Sequence, residues 1–172
     1  RTNHGLHAMK KYDIICKIIS VSKERIQYYM RAVRLKIGIV GIEIQSDTEF
    51  ELENSLQQFA VTQFPKTGIS VVGYHIQKKA PELPEDCLQV SRELRQVFLN
   101  ETHVYRRYVY TDMQDGKLIK NAFCVRSRHC NDTYILYLQP DTQEIQLSSY
   151  MIPLEEIMVY RNGFVLHSSC IA

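Results

Sequence analysis

The side chains with the clearest potential for chemistry lie on a predicted β-hairpin around Asp115-Gly116, a strong two-residue turn signal. With that pair as the loop, Gln114 faces Lys117, and one face of the hairpin is predicted to carry four cations and two rings. These residues are His103, Tyr105, Arg107, Lys120, Arg126 and Arg128. Like charges on neighbouring strands repel unless an anion or solvent screens them. Such a face could bind phosphates and stack bases, dock an acidic partner peptide, or simply be solvated.

A second candidate site pairs an acid with an imidazole. If the strands that carry Glu43 and His75 are parallel, both residues and the Ser46 turn lie at the carboxyl edge of the sheet, where α/β proteins bind ligands. The pair could then act as acid and base, although a lone glutamate and a lone histidine near strand ends are more often surface residues. The chain has no nucleophile elbow, metalloprotease helix or phosphate loop, so no catalytic residue is predicted.

Cysteine usage indicates a reducing compartment. The five cysteines are scattered and include no CxxC pair, which favours free thiols in a cytoplasmic or nuclear protein. The tripeptides Asn100-Glu101-Thr102 and Asn131-Asp132-Thr133 are glycosylation acceptors in form, but such tripeptides often arise by chance. Cys124, His129 and Cys130 are close in sequence, yet on a regular strand Cys124 and His129 face opposite sides. No metal site and no cofactor are therefore predicted.

Composition gives only broad limits. The 172 residues suffice for one domain with a proper core or for two small lobes. A hydrophobic content of 45% and a net charge of +2 give no global signal for nucleic acid or membrane. Locally, residues 10–36 hold eight cations and two acids, which would make a basic helix surface. No apolar run approaches the roughly 18 residues of a membrane-spanning helix, so no membrane contact is predicted.

The elements expected to position these residues are organised around the run 36–44, which is short, apolar and rich in β-branched residues. We predict that it is a strand buried on both faces. Strands are also predicted over 12–19 and 69–76, a helix over 23–35, and a second helix after Ser46, which with Glu49 fits a capping box. This order, strand–helix–strand–helix–strand, favours parallel strands with helical crossovers.

The second half of the chain is predicted to be mainly antiparallel. A third helix is expected over 85–99, after a loop with two prolines. Beyond it the apolar period changes to two, which predicts a β-meander. Its strands are expected over 103–113, 117–129, 133–139, 144–150, 156–161 and 164–171. The fold class is therefore α+β, a βαβαβ-α half followed by a meander. The expected units are residues 1–9 as a tail or artificial extension, 10–80, and 81–172 packed against 10–80.

Three functions remain open at this stage. The first is a non-catalytic protein-interaction domain, a scaffold or adaptor of a larger assembly, because no catalytic motif is present and the meander offers edges that could accept a strand. The second is a nucleic-acid-binding domain that uses the basic helix and the cationic hairpin face. The third is a small α/β enzyme with a site near Glu43, Ser46 and His75. A protein partner is expected, nucleic acid is the alternative, and the oligomeric state is open.

Overall fold

The computed structural model describes residues 30–91, 96–111, 119–143 and 145–162. In these residues the chain forms strands, two short α-helices and one 3₁₀ turn over Ser149–Met151. The strands are β1 (Met30–Ile37), β2 (Val40–Leu52), β3 (Ala60–Val61), β4 (Ser70–Lys78), β5 (Leu88–Ser91), β6 (Gln96–Leu99), β7 (His103–Thr111), β8 (Ile119–Ser127), β9 (Thr133–Leu138) and β10 (Gln146–Leu147). The helices are α1 (Asn54–Gln57) and α2 (Leu154–Val159).

The strands form one large mixed sheet. Its order is β3-β1-β2-β4-β9-β8-β7-β6-β5, and β10 pairs with the end of β2. The central strands β2, β4 and β9 are parallel, while the pairs outside them are antiparallel. The predicted α+β class with an α/β-like half is therefore wrong, because the described part of the chain is mostly strand and the helices in it are short. Strands from both predicted halves share this sheet.

The run 36–44 is a hairpin turn with parts of two strands, where one strand was predicted. Ile37 pairs with Val40, and Gly38 and Ile39 form the loop between them. Gly38 has a φ of 60°, which L side chains adopt only with strain and which suits the first loop position of a type II′ turn. The expected burial holds on one face of β2, where Val40, Ile42 and Ile44 have no exposed surface, whereas Glu43 on the other face is 35% exposed, so burial on both faces is not observed.

The predicted helices fail because short stripes at helical spacing also fit strands. In β1, Val33, Leu35 and Ile37 alternate with Arg34 and Lys36, which is the period of a strand. The segment after Ser46 continues β2 as far as Leu52, and only α1 follows it. Residues 88–91 and 96–99 are β5 and β6, where a helix over 85–99 was predicted. The predicted strand 12–19 and residues 23–29 lie outside the described residues.

The meander prediction is correct for its first three strands. Residues 103–111, 119–127 and 133–138 are β7, β8 and β9, in antiparallel pairs. Of the expected strand 144–150, only β10 forms, and it pairs in parallel with β2. The expected strand 156–161 is wrong, because α2 and the turn after it occupy this stretch. Residues 164–171 lie outside the described part of the chain.

The core lies on one face of the sheet, which we call the α2 face. Apolar side chains from β1, β2, β4, β8 and β9 pack there against the segment 145–157, which includes α2. The hydroxyl of Tyr74 donates a hydrogen bond of 2.8 Å to the carbonyl of Met151, and Ile157 has no exposed surface. Burial of this apolar surface is the main stabilising term of the fold.

The opposite face is crossed by residues 79–87, which we call the strap. The strap joins β4 to β5, five strand intervals of about 4.8 Å away, or about 24 Å. Strand pairing aligns Lys78, at the end of β4, with Ala122 on β8, and Leu88, at the start of β5, with Arg126 on β8. Ala122 and Arg126 are four residues apart, so the two ends of the strap are also offset by roughly 13 Å along the strand direction. The direct path is then about 27 Å, against a maximum reach of roughly 35 Å for ten Cα steps.

Most of the strap must therefore be extended, up to a turn in which the amide of Cys87 donates to the carbonyl of Pro84 at 3.1 Å. Pro81 and Pro84 suit this, because proline favours extended and polyproline II conformations. The strap passes beside Tyr105, since burial, with Cys87 and Asp86 nearby, raises the pKa of that phenol. We call this side of the sheet the strap face.

Candidate functional site

The predicted cationic face is divided between the two sides of the sheet. In the observed register Tyr108 pairs with Ala122, one residue away from its predicted partner Phe123. A shift of one residue turns the whole of β8 over relative to β7. His103, Tyr105 and Arg107 consequently lie on the strap face, whereas Lys120 and Arg126 lie on the α2 face. The prediction that these residues share one face is wrong, and their role in binding remains a prediction.

The three residues left on the strap face are largely engaged within the protein. Arg107 donates hydrogen bonds to the side-chain oxygens of Asn121 (2.9 Å) and Gln96 (2.8 Å). Tyr105 is buried, and the Nδ1 atom of His103 lies 2.8 Å from the hydroxyl of Thr102. The stacking and phosphate-binding groups of this face are therefore mostly occupied or covered.

The remaining three cations also contact protein groups. Lys120 is buried and forms a salt bridge of 3.0 Å with Asp141. Arg128 is exposed at the turn after β8, and its Nη1 atom donates to the carbonyl of Asn100 at 3.0 Å. Arg126 is buried beneath α2, where it joins the cluster described below.

The Glu43 and His75 pair does not form at a strand end. β2 and β4 are parallel, as that hypothesis requires, but both strands continue beyond these residues. Glu43 pairs with Gly73, and His75 with Gln45, so the two residues are two positions out of register. The carboxylate of Glu43 accepts two hydrogen bonds, at 3.0 and 2.8 Å, from Arg34. Ser46 lies within β2 and accepts from the amide of Thr48, so it does not cap a helix.

The most organised group of charges lies where α2 meets β7 and β8. Glu156 on α2 accepts hydrogen bonds from Arg106 and Arg126 at separate carboxylate oxygens. We call these three residues the Arg–Glu–Arg cluster. Arg126 and Glu156 are about 10% exposed, and Arg106 is 26% exposed. Two guanidinium groups thus share one carboxylate in a largely water-free position.

Arg126 has an acceptor or ring for each part of its guanidinium group. Its Nη1 atom donates to the carbonyl of Ser127 at 2.8 Å, and its Nη2 atom donates to the hydroxyl of Tyr160 at 2.9 Å. The Cζ atom of Arg126 lies 5.0 Å from the centre of the Tyr160 ring, which permits a cation–π contact. This side of the cluster is rigidly held.

Arg106 is less completely satisfied. Its Nε and Nη2 atoms both donate to one oxygen of Glu156, with 2.9 Å for the Nε contact. Its Nη1 atom makes no hydrogen bond to the residues that the structure describes. Burial tends to lower the pKa of Arg106, but the hydrogen bond and charge of Glu156 raise it overall, so the guanidinium stays charged.

A cavity of about 340 Å³ opens beside Arg106, between α2 and β7. We call it the pocket. Its lining residues are Arg106, Tyr108, Pro153, Glu155, Glu156, Val159 and Tyr160. Val159 is 66% exposed and Tyr160 is 48% exposed, so part of the rim is apolar, and Glu155 adds an exposed carboxylate to it. The pocket combines two phenol rings, aliphatic groups and one partly free guanidinium group.

An apolar surface extends from the pocket to the β5 edge of the sheet. Leu88 pairs with Leu99, Leu99 with Val104, and Val97 with Arg106, and paired residues face the same side. We call Leu88, Val97, Leu99 and Val104 the shelf. The shelf lies on the α2 face beyond α2, and Leu88 is 64% exposed. The shelf and the pocket therefore lie on the same face of the sheet and adjoin through the Val97–Arg106 pair.

The buried hydroxyl and thiol groups near the cluster have raised pKa values. Burial raises the pKa of Cys124 to about 12, which keeps this thiol protonated and unreactive at neutral pH. Burial also raises the pKa of Tyr134, whose hydroxyl lacks a hydrogen-bond partner among the described groups. Within the described residues, no three His, Cys, Asp or Glu side chains are grouped so that they could hold a metal ion.

Arg106, Glu156 and Tyr160 were not predicted as site residues from the sequence. In the predicted hairpin, strand alternation puts Arg106 on the face opposite Tyr105 and Arg107, and an arginine on a buried face requires an acid as partner. That requirement was the signal available, but it could not identify Glu156, which is fifty residues away.

None of the helices in the described ranges is long and apolar enough to cross a membrane. No protein-family model matches the chain, and no curated protein or solved structure shows significant similarity to it.

Proposed function

We propose that this chain is a non-catalytic protein-interaction domain, a scaffold or adaptor module, that binds a partner protein on the shelf and pocket. The observation that carries the proposal is the exposure of apolar side chains on the α2 face, Leu88 on the shelf and Val159 and Tyr160 at the pocket. Apolar patches on soluble proteins are usually small, and larger ones mark interaction sites. Exposed tyrosine and arginine at a pocket are also typical of the anchors of protein interfaces.

The architecture supports a partner that packs on the sheet face. The apolar face of a sheet is normally covered by a second layer. The segment that ends in α2 covers the centre of the α2 face, while Leu88 remains 64% exposed on the β5–β7 part. A partner segment lying beside α2 would bury the shelf and complete this layer.

Strand addition at the β5 edge is a weaker alternative. The β5–β6 pairing shifts register between Gln89 and Ser91, which places a bulge at Val90. Bulges twist an edge strand and interrupt its row of hydrogen-bonding groups, so they disfavour pairing with a further strand. We therefore assign the partner to the face of β5–β7 and not to its edge.

A pull-down from source extract tests the proposal, with Val159→Asp as the disabling variant. Val71→Asp is the matched control, because Val71 is also an exposed valine, at 45%, but lies on the strap face. We expect a specific protein to be retained by the wild type and by Val71→Asp, to be lost with Val159→Asp, and to survive nuclease treatment. Equal retention by both variants, or loss after nuclease treatment, would contradict the proposal.

A further inference from the structure

Within the described residues, the three members of the Arg–Glu–Arg cluster together carry one excess positive charge, and Glu155 is the other acid that lines the pocket beside them. Arg106 and Arg126 contribute two positive charges, and Glu156 contributes one negative charge. An uncompensated charge in a largely buried position is unfavourable, so the excess should be compensated where the cluster reaches solvent. Arg126 has acceptors for all its nitrogen atoms, which leaves Arg106 as the point of access.

Arg106 reaches solvent at the pocket. It is 26% exposed, it lines the cavity, and its Nη1 atom has no acceptor among the described residues. Glu156 fixes the other edge of the guanidinium plane, so Nη1 is held in place before any ligand arrives. A pre-organised guanidinium group loses little conformational entropy when it binds an oxyanion.

The remaining walls of the pocket define the rest of the ligand. Tyr108, Pro153, Val159 and Tyr160 present rings and aliphatic groups. A volume of about 340 Å³ is at the lower end of the range for ligand sites, which suits one large side chain and its attached polar group.

We propose that the pocket binds an aromatic or large aliphatic side chain of the partner together with an adjacent carboxylate, which Arg106 receives at Nη1. This rests on the proposed function and names the anchor of the partner. The carboxylate is either the partner's C-terminus or an aspartate or glutamate side chain next to the anchor. Glu155 lies at the rim, and its negative charge lowers the affinity for the carboxylate.

Short peptides of defined chemistry test this anchor. The probes are acetyl-Phe with a free carboxylate, acetyl-Phe amide, acetyl-Phe-Asp amide and acetyl-Phe-Asn amide, titrated into the ¹⁵N-labelled full chain up to 10 mM. We expect at least one carboxylate probe to bind about tenfold more tightly than its neutral counterpart and to shift the side-chain Nε–H signal of Arg106. Tighter binding of acetyl-Phe than of acetyl-Phe amide would identify the carboxylate as the partner's C-terminus. Tighter binding of acetyl-Phe-Asp amide than of acetyl-Phe-Asn amide would identify it as an acidic side chain.

Two variants make the result specific to the pocket. Glu155→Gln should increase affinity for the carboxylate probe two- to fivefold without changing affinity for the amide. Arg106→Lys, which keeps the charge but loses the planar fork, should reduce the carboxylate preference at least threefold. Equal binding of charged and neutral probes, or no shift of the Arg106 signal at 10 mM, would overturn the anchor. In that case the proposed function would still stand if the pull-down retains a protein with the wild type and loses it with Val159→Asp.

Discussion

Replacing Glu156 with alanine tests whether one carboxylate holds α2 on the sheet. The change leaves Arg106 and Arg126 without their shared acceptor, and Arg126 is only 9% exposed. Removing one partner of a buried ion pair typically costs about 3 to 5 kcal/mol, because the remaining charge is buried and unpaired. For a chain of this size, that corresponds to a fall in Tm of roughly 6 to 20 °C.

Urea denaturation followed by circular dichroism measures this loss. Glu85→Ala is the matched control, since Glu85 is an exposed glutamate outside the Arg–Glu–Arg cluster and its removal should change stability by less than about 0.5 kcal/mol. The double variant Arg126→Met with Glu156→Leu should have a free energy of unfolding about 1 to 3 kcal/mol higher than that of Glu156→Leu alone, because it no longer contains the buried, unpaired charge of Arg126. A loss below about 1 kcal/mol in Glu156→Ala would refute the cluster's role.

Three further predictions concern backbone space, backbone conformation and pH. Gly41→Ala should destabilise the fold by about 1 to 3 kcal/mol in urea denaturation, because a Cβ atom there would lie 2.8 Å from the ring of Phe64; wild-type stability would show that the ring moves freely. Gly38→Val should cost roughly 1 to 2 kcal/mol in the same assay, since its φ of 60° strains a branched residue; no loss would mean that the turn adopts another form. Above pH 9 the unfolded Cys124 thiol loses its proton before the buried one, whose pKa is about 12, so stability falls as pH rises. Between pH 9 and 10 the free energy of unfolding should fall less steeply with pH in Cys124→Ala than in the wild type, by up to about 1.4 kcal/mol per pH unit. Equal slopes in the two proteins would contradict this prediction.

Period-two patterns identified several strands correctly. β4, β7, β8 and β9 were predicted within a few residues, because their apolar and polar residues alternate and turn residues flank them. The three predicted helices did not form as predicted, since an i, i+4, i+7 stripe over a short stretch does not distinguish a helix from a strand. Helical propensity is a weak preference that pairing within a sheet overrides.

The candidate site could not be predicted from the sequence for two reasons. A one-residue error in the β7–β8 register exchanged the two faces of β8 and so brought together cations that the structure separates. The Arg–Glu–Arg cluster joins residues 30 and 50 positions apart through a helix that had been predicted as a strand. Contacts at such separations are fixed by topology, and no local pattern around Glu156 indicates them.

The position of β9 has a consequence for how the chain is made. β9 is the last of the nine strands along the main sheet order to be synthesised, yet it lies between β4 and β8 and joins the two parts of the sheet. While the ribosome is still adding residues before Thr133, the inner edge of β4 has no neighbour, and that edge is open to wrong pairing. Cutting the chain near residue 80 would leave the same edge permanently open, so separate expression of the two halves should yield aggregates, whereas co-expression would allow β9 to reunite them.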